Sequence, residues 1–336
     1  MDTLKRIWVA SIAGLCMAAA SAALATDRSP DDKATALARQ HDARVIDSLL
    51  AEATPHSMAL AATAMMPVGE DADEIAQRRR ELLEKAARMA PNEAWVQWMA
   101  ALDAAPTDVV PEPALALQRL QPDNGAVWLF QLQAASRAND SRGVTKALAR
   151  LGAAGHFESP FMATALAWLE FYRSHPQLQP PGSVAGSPAS AALTMAVARA
   201  AALAMPNYGS LMVACKSPES PLAADRREAC LAAGRLMLNE SNTLDSMQIG
   251  VALLRRAAAR DIDEITRNAE YFTLEYAVLA SSALEDPVEF ARYQADWLQT
   301  RNEIQIARNL LARAGIPLLP PVDWKPGEMS LSSRQD

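Results

Sequence analysis

Apolar side chains recur along most of this chain at i, i+3, i+4 and i+7, the spacing that gathers them on one face of an α-helix. Strict apolar–polar alternation rich in Val, Ile and Thr, the mark of a strand, is hard to find. The pattern predicts a helix from about Thr35 to Ala53, a shorter one after Pro55, and a long one from Asp71 or Asp73 to Ala90, with Gly69 as the break before it. Later helices are expected at about 189–205, 221–239, 243–260, 263–284 and 287–314. Between Ser174 and Ser190 stand Pro176, Pro180, Pro181, Gly182, Gly186 and Pro188, which together forbid a helix. The chain thus divides into a helical region at 34–175, a linker or long loop at 176–188, a second helical region at 189–315 and a tail at 316–336. Residues 26–33 are polar and expected to lack order. The tail is expected to be extended because of Pro317, Pro320, Pro321 and Pro326, with Trp324 pinning it to the body.

Composition strengthens this reading. Half of the 336 residues are hydrophobic, enough for a sizeable core, yet only 5% are aromatic and alanine is abundant. Alanine loses no side-chain entropy in a helix. The fold class expected is all-α, either a degenerate α-solenoid of helix hairpins or an irregular helical bundle.

Four expected helices open with an aromatic residue on the same template. They are Trp95/Trp98/Met99/Leu102, Trp128/Gln131/Leu132/Ala135, Trp168/Phe171/Tyr172/His175 and Tyr208/Leu211/Met212/Cys215, with openings 33, 40 and 40 residues apart. Met89-Ala90-Pro91-Asn92, Pro122-Asp123-Asn124 and Met205-Pro206-Asn207 precede three of them, a proline ending one helix and an Asn or Asp capping the next. The run from Lys85 to Trp95 resembles the junction between tetratricopeptide-type repeats: small residues, a proline, then a capped tryptophan helix. The resemblance covers roughly 70–175 and departs in its drifting spacing and in Pro111 and Pro113, which fall where a second helix should begin. It implies stacked helix hairpins with an extended groove for a peptide or protein.

The N-terminus changes the compartment. Lys5 and Arg6 precede an uncharged apolar stretch from Ile7 to Ala22, then Ala23-Leu24-Ala25, an A-x-A cleavage site, and the polar Thr26-Asp27-Arg28. Residues 1–25 therefore read as a cleavable secretory signal of the kind that exports proteins to the Gram-negative periplasm. The alternative is an uncleaved anchor in the inner membrane; no later segment reads as a membrane span. Cleavage removes Cys16 and leaves Cys215 and Cys230, expected to pair in an oxidising compartment. Such a bond would close a 15-residue loop, stabilising by about 3 kcal/mol in the chain-entropy picture.

Net charge argues against some partners. Without the signal the chain carries 30 basic and 38 acidic side chains, from 32 and 39 less Lys5, Arg6 and Asp2. A net charge of −8 is a poor basis for nucleic-acid binding, which needs basic surface to displace counterions. The arginines at 78–80 lie among Glu74, Glu81 and Glu84, and the pairs Glu74→Arg78 and Arg80→Glu84 read as a solvated, ion-paired face.

Motif chemistry is sparse. His41, His56, His156 and His175 form no H-E-x-x-H, and with no C-x-x-C a metal site is not expected. There is no G-x-S-x-G elbow and no glycine-rich phosphate loop, so neither a catalytic set nor a cofactor is expected. Gly155-His156-Phe157-Glu158-Ser159 resembles the Glu-Ser start of the lytic-transglycosylase motif, with Gly209-Ser210-Leu211-Met212 a faint echo of the second. A general acid needs a desolvated pocket, and the simpler reading is a helix start with Ser159 as cap and Pro160 as first residue. His175 reads as a last-turn residue facing the negative end of a helix. The expected function is a periplasmic, non-catalytic module for protein or peptide interaction. The alternatives are an exported, carboxylate-using cell-wall enzyme and a structural or immunity-like partner. N-terminal sequencing of the exported protein is expected to begin at Thr26; an intact Met1 in the membrane fraction would show the anchor instead.

Overall fold

A computed structural model describes residues 28–66, 71–180, 187–203, 205–216 and 223–325, with side chains from residue 37 onward. The expected secretory signal at 1–25, the expected breaks at Gly69 and Gly182, and the end of the tail lie outside these residues. The protein is all-α. Among the described residues are 15 α-helices, two 3₁₀ turns and no strand. The helices are α1 Arg28–Glu52, α2 Pro55–Ala64, α3 Ala72–Met89, α4 Ala94–Asp103, α5 Glu112–Leu120, α6 Leu129–Arg137, α7 Ser141–Gly152 and α8 Phe161–Ser174. They continue with α9 Pro188–Leu203, α10 Gly209–Ala214, α11 Ala224–Asn239, α12 Leu244–Arg256, α13 Ile262–Glu285, α14 Pro287–Gln299 and α15 Glu303–Arg313.

Most expected helices stand within a few residues of their predicted ends, and the differences are informative. α1 begins at Arg28, inside the segment expected to lack order; Pro30 sits in its first turn, where a missing N–H leaves no helical bond unmade. The single helix expected at 287–314 is two, α14 and α15. Asn302 caps the second, its side chain accepting the Gln305 N–H at 3.0 Å. Trp168 does not open a helix but sits deep within α8, and Trp128 ends a 3₁₀ turn. Trp95, Trp128 and Tyr208 stand at or next to helix starts, Trp128 directly before α6.

Consecutive helices pack in pairs from α1 to α5, and α6 on α7, but chain order then gives way. α7 packs on α11 rather than on α8, while α8 packs on α9 and α2. Two hydrophobic clusters result. One is built from α2–α7, α10, α11 and α12; the other from α1, α2, α8, α9 and α12–α15. Segments on both sides of 176–188 enter both clusters. α2 and α12 serve both, which explains the composition of α2: Ser57–Ala64 is buried on every side, as a helix apolar all round must be. α11 and α12 meet through two glycines. A Cβ on Gly250 would come within 2.7 Å of the Leu238 nitrogen and 2.8 Å of the Gly234 oxygen, so the backbones touch where no side chain fits.

Polar side chains tie the clusters together. The buried Trp168 indole donates to Thr63 Oγ1 and the half-buried Trp95 indole to Thr164 Oγ1, both at 3.0 Å. Arg199 lies 4.3 Å from the centre of the Trp168 ring and pairs with Asp42, joining α9 to α8 and α1. The expected Glu74→Arg78 and Arg80→Glu84 pairs are not formed. Arg79, the middle residue of the run, reaches Asp103 on α4, and that pair is largely shielded from water. The tail runs as expected: Trp324 packs edge-on against Tyr271, 5.5 Å between centroids, and Arg267 donates to the carbonyls of Val322 and Trp324 at 3.1 and 3.2 Å.

At the centre, the extended segment 155–159 runs between two loops. Gly125 N donates to His156 O (2.8 Å), Phe157 N to Glu240 O (2.9 Å) and Asn242 N to Phe157 O (3.2 Å). Asn124 accepts the Glu158 N–H and donates to the Glu158 carbonyl, both at 2.9 Å. Asn242 treats Ser159 the same way, at 3.1 and 3.2 Å. Both asparagines are buried, so removing either amide strands a donor and an acceptor away from water. Asn242→Ala is expected to lower stability by about 2–4 kcal/mol in urea denaturation, well beyond the ~1 kcal/mol of removing the exposed helix cap at Asn302.

Candidate functional site

The residues singled out in the sequence fall into separate places. Cys215 and Cys230 are brought together: both are fully buried, their sulfurs 2.06 Å apart and their Cα atoms 5.8 Å apart, within the range a disulfide requires. Cys215 follows α10 directly and Cys230 sits in the second turn of α11, which starts at Ala224; the expected cap at Ser220 and Pro221 lies outside the described residues.

Glu158 belongs to the clamped segment, its backbone N–H and C=O both held by Asn124. The expected cap at Ser159 is displaced. α8 begins at Phe161 with Pro160 in the cap position, and the Ser159 hydroxyl has no hydrogen-bond partner. The reason is Asn242, which holds Ser159 extended through its backbone, so the helix starts one residue later. His175 ends α8 as expected, with Nδ1 3.1 Å from the Phe171 carbonyl oxygen and its ring stacked on Phe171. The other histidines lie apart: His41 by the Leu178 carbonyl, His56 by Glu93, His156 by Asp123. Among the described residues no three His, Cys, Asp or Glu side chains converge as a metal site would require.

The site that does form was not singled out in the sequence. α9, α13, α14 and the first residue of α15 enclose a predominantly apolar pocket of about 70 Å³. Leu193, Thr194 and Val197 come from α9, Tyr276, Ala280 and Leu284 from α13, Tyr293 and Trp297 from α14, and Glu303 from α15. Val197 and Leu284 are half-buried and form its rim; Tyr276, Tyr293, Trp297 and Glu303 are buried. Each wall has a local cause. Asp286 caps α14 by accepting from Val288 N and Glu289 N. Arg313 locks α15 onto α14, bonding Glu289 and Asp296 at 2.6 Å each. The Tyr276 and Tyr293 hydroxyls meet at 2.8 Å, joining α13 to α14.

Glu303 is the acid of this pocket. Its backbone N–H donates to the carbonyl of Asn242, 2.8 Å away, so the clamp that holds Ser159 also sets the start of α15. Its Oε2 accepts the Leu244 N–H at the head of α12, at 2.9 Å. Oε1 has no hydrogen-bond partner among the described residues, and no cationic side chain pairs with the carboxyl. Burial pushes the Glu303 carboxyl up to about 7, the Leu244 N–H opposing and the charge of Asp245 adding to the shift. Burial raises Asp245 as well, to about 6. It pushes Tyr276 well above its ordinary value and Tyr293 to about 12. One further polar atom in the walls, Thr194 Oγ1, is buried without a hydrogen-bond partner. Such groups are rare in a finished core, where buried polar atoms are paired.

Compared with protein families, curated proteins and solved structures, the chain finds no match in any of the three. No described helix is long and apolar enough to cross a membrane.

The signal for Glu303 is visible in retrospect. Asn302-Glu303-Ile304-Gln305 has the N-x-x-Q spacing of a helix start, and it interrupts what periodicity reads as one helix at 287–314. The desolvation of Glu303 has no local signature, because helices distant in sequence remove its water. Both carboxyls hold their proton more tightly in the folded than in the unfolded chain, so folding stability is greatest in mild acid and falls as pH rises from about 4.5 to 7. Thermal denaturation is expected to show a decline of the order of 6 kcal/mol across that window, the two carboxyls contributing about equally. Glu303→Gln, which keeps an acceptor for Leu244 N–H, is expected to remove about half of it.

Proposed function

We propose that the protein is an exported, non-catalytic binding module that takes a side chain of a peptide or protein partner into the pocket between α9, α13 and α14. The single observation behind this reading is the pocket itself: apolar walls, a half-buried rim and a few converging polar groups left without partners. That combination marks binding sites, because a ligand supplies the contacts the protein leaves unmade. The export reading rests on the Ala23-Leu24-Ala25 site and on the two cysteines, which suit an oxidising compartment.

A cell-wall enzyme is the second reading, and Glu303 rather than Glu158 favours it, since a desolvated carboxyl is what a general acid needs. Binding accounts for more of the site. A sugar requires many hydrogen-bonding groups, whereas these walls are mostly apolar, and one oxygen of Glu303 already serves a backbone amide.

Random peptides displayed on phage and selected on the purified protein test the proposal. Enriched peptides are expected to lose at least about tenfold in affinity, roughly 1.4 kcal/mol, for a Val197→Trp variant whose rim is filled while its circular dichroism is unchanged. Equal binding to both proteins would place recognition elsewhere. Clearing of peptidoglycan abolished by Glu303→Gln would replace the binding reading with the enzymatic one.

A further inference from the structure

We infer that the group seated in this pocket is an alkylammonium, the side chain of a lysine in the bound peptide, with Glu303 as its counter-ion and the rings of Tyr276, Tyr293 and Trp297 around it. The inference rests on the binding reading above and names the chemistry of that site.

The argument begins with charge. Glu303 is 2% exposed, and the charged or titratable groups that face it are Asp245 from α12, Tyr276 from α13 and Tyr293 from α14. Asp296, further along α14, is engaged with Arg313. None of the groups facing the carboxyl is a cation. A buried acid without a counter-charge is costly unless it is protonated or paired by something else. Its free oxygen, Oε1, belongs to a residue lining the pocket, so the missing partner has a place to sit.

The walls select the same partner. The faces of tyrosine and tryptophan carry negative electrostatic potential and attract a cation, most strongly where water is excluded. The buried Thr194 Oγ1, without a partner, offers a further oxygen to an ammonium N–H. The aliphatic rim of Val197 and Leu284 suits a methylene stem, since lysine buries its stem along apolar surface. An anionic group would face Glu303 and Asp245 together. A purely apolar group would fill the space yet leave Oε1 and Thr194 Oγ1 unpaired. An ammonium supplies donors for both.

Protonation then couples to binding. Below pH 7 the ammonium displaces the carboxyl proton, which passes to solvent; above it the carboxylate is already ionised.

Isothermal titration of the intact exported protein with N-acetyl-lysine amide and with N-acetyl-norleucine amide, at pH 5.5 and 8, tests this. The two probes share a stem and differ in the ammonium. The lysine probe is expected to bind about tenfold or more tightly at pH 8 than at pH 5.5, the norleucine probe about equally at both. Glu303→Gln is expected to remove the pH dependence and the preference for lysine together. Norleucine binding as well as lysine at pH 8 overturns the ammonium assignment while leaving the pocket as a binding site. Failure of both probes at millimolar concentration, with the phage-selected peptides still sensitive to Val197→Trp, overturns it as well. Failure of both probes and of the peptides removes the binding reading itself. The contrast between probes on the unaltered protein stands even if the Gln variant does not fold.

Discussion

The backbone of residues 158 and 159 must find hydrogen-bond partners deep inside a helical protein, beyond the main-chain bridge that pairs Phe157 with residues 240 and 242. Two asparagines far apart in the chain solve this in the same way. Each presents its amide oxygen to a backbone N–H and its amide nitrogen to the C=O of the same residue, imitating the edge of a β-strand. Asn124 closes the turn before α6, and Asn242 the turn before α12. The segment between them leads from α7, in one hydrophobic cluster, to α8, in the other. These buried hydrogen bonds, whose partners cannot be replaced by water, join the two clusters alongside the shared helices α2 and α12.

The same contact reaches the pocket. The Asn242 carbonyl accepts the Glu303 N–H, and Glu303 returns its side chain to the Leu244 N–H two residues beyond Asn242. The start of α15 and the start of α12 thus hold one another, and the carboxyl is committed to a dry position. Burial that would otherwise exclude an acid is tolerated because Oε2 serves an amide at a helix start, where negative charge is favoured. The other oxygen is left for the pocket. Structure and recognition divide one side chain between them.

The indoles of Trp95, Trp98 and Trp168 each place the ring N–H on a side-chain oxygen at 3.0 Å, and the Trp297 indole lies beside the Tyr293 hydroxyl. Packing elsewhere is finished to the level of glycine against glycine, where α11 and α12 cross.

Helical periodicity and alanine content determined the fold class, because a 3.6-residue repeat of apolar positions has one favourable way to bury itself. They also placed most helix ends, since proline, glycine and the capping residues act within a few positions of themselves. The pairing of Cys215 with Cys230 was legible by elimination, and the pinning of the tail by Trp324 from the cost of leaving its indole in water. What periodicity does not carry is which helix meets which. α7 leaves its neighbour for α11, and α8 goes to the opposite cluster, because buried area is gained between faces regardless of their distance along the chain. At Gly234 and Gly250 only a missing side chain lets the backbones of α11 and α12 touch. Glu158 drew attention through its neighbours, yet its surroundings make it part of a strut. Glu303 drew none, yet four helices distant in sequence strip its water away. Desolvation is a property of the assembled surface, so the tertiary structure alone decided which carboxyl became chemically distinct.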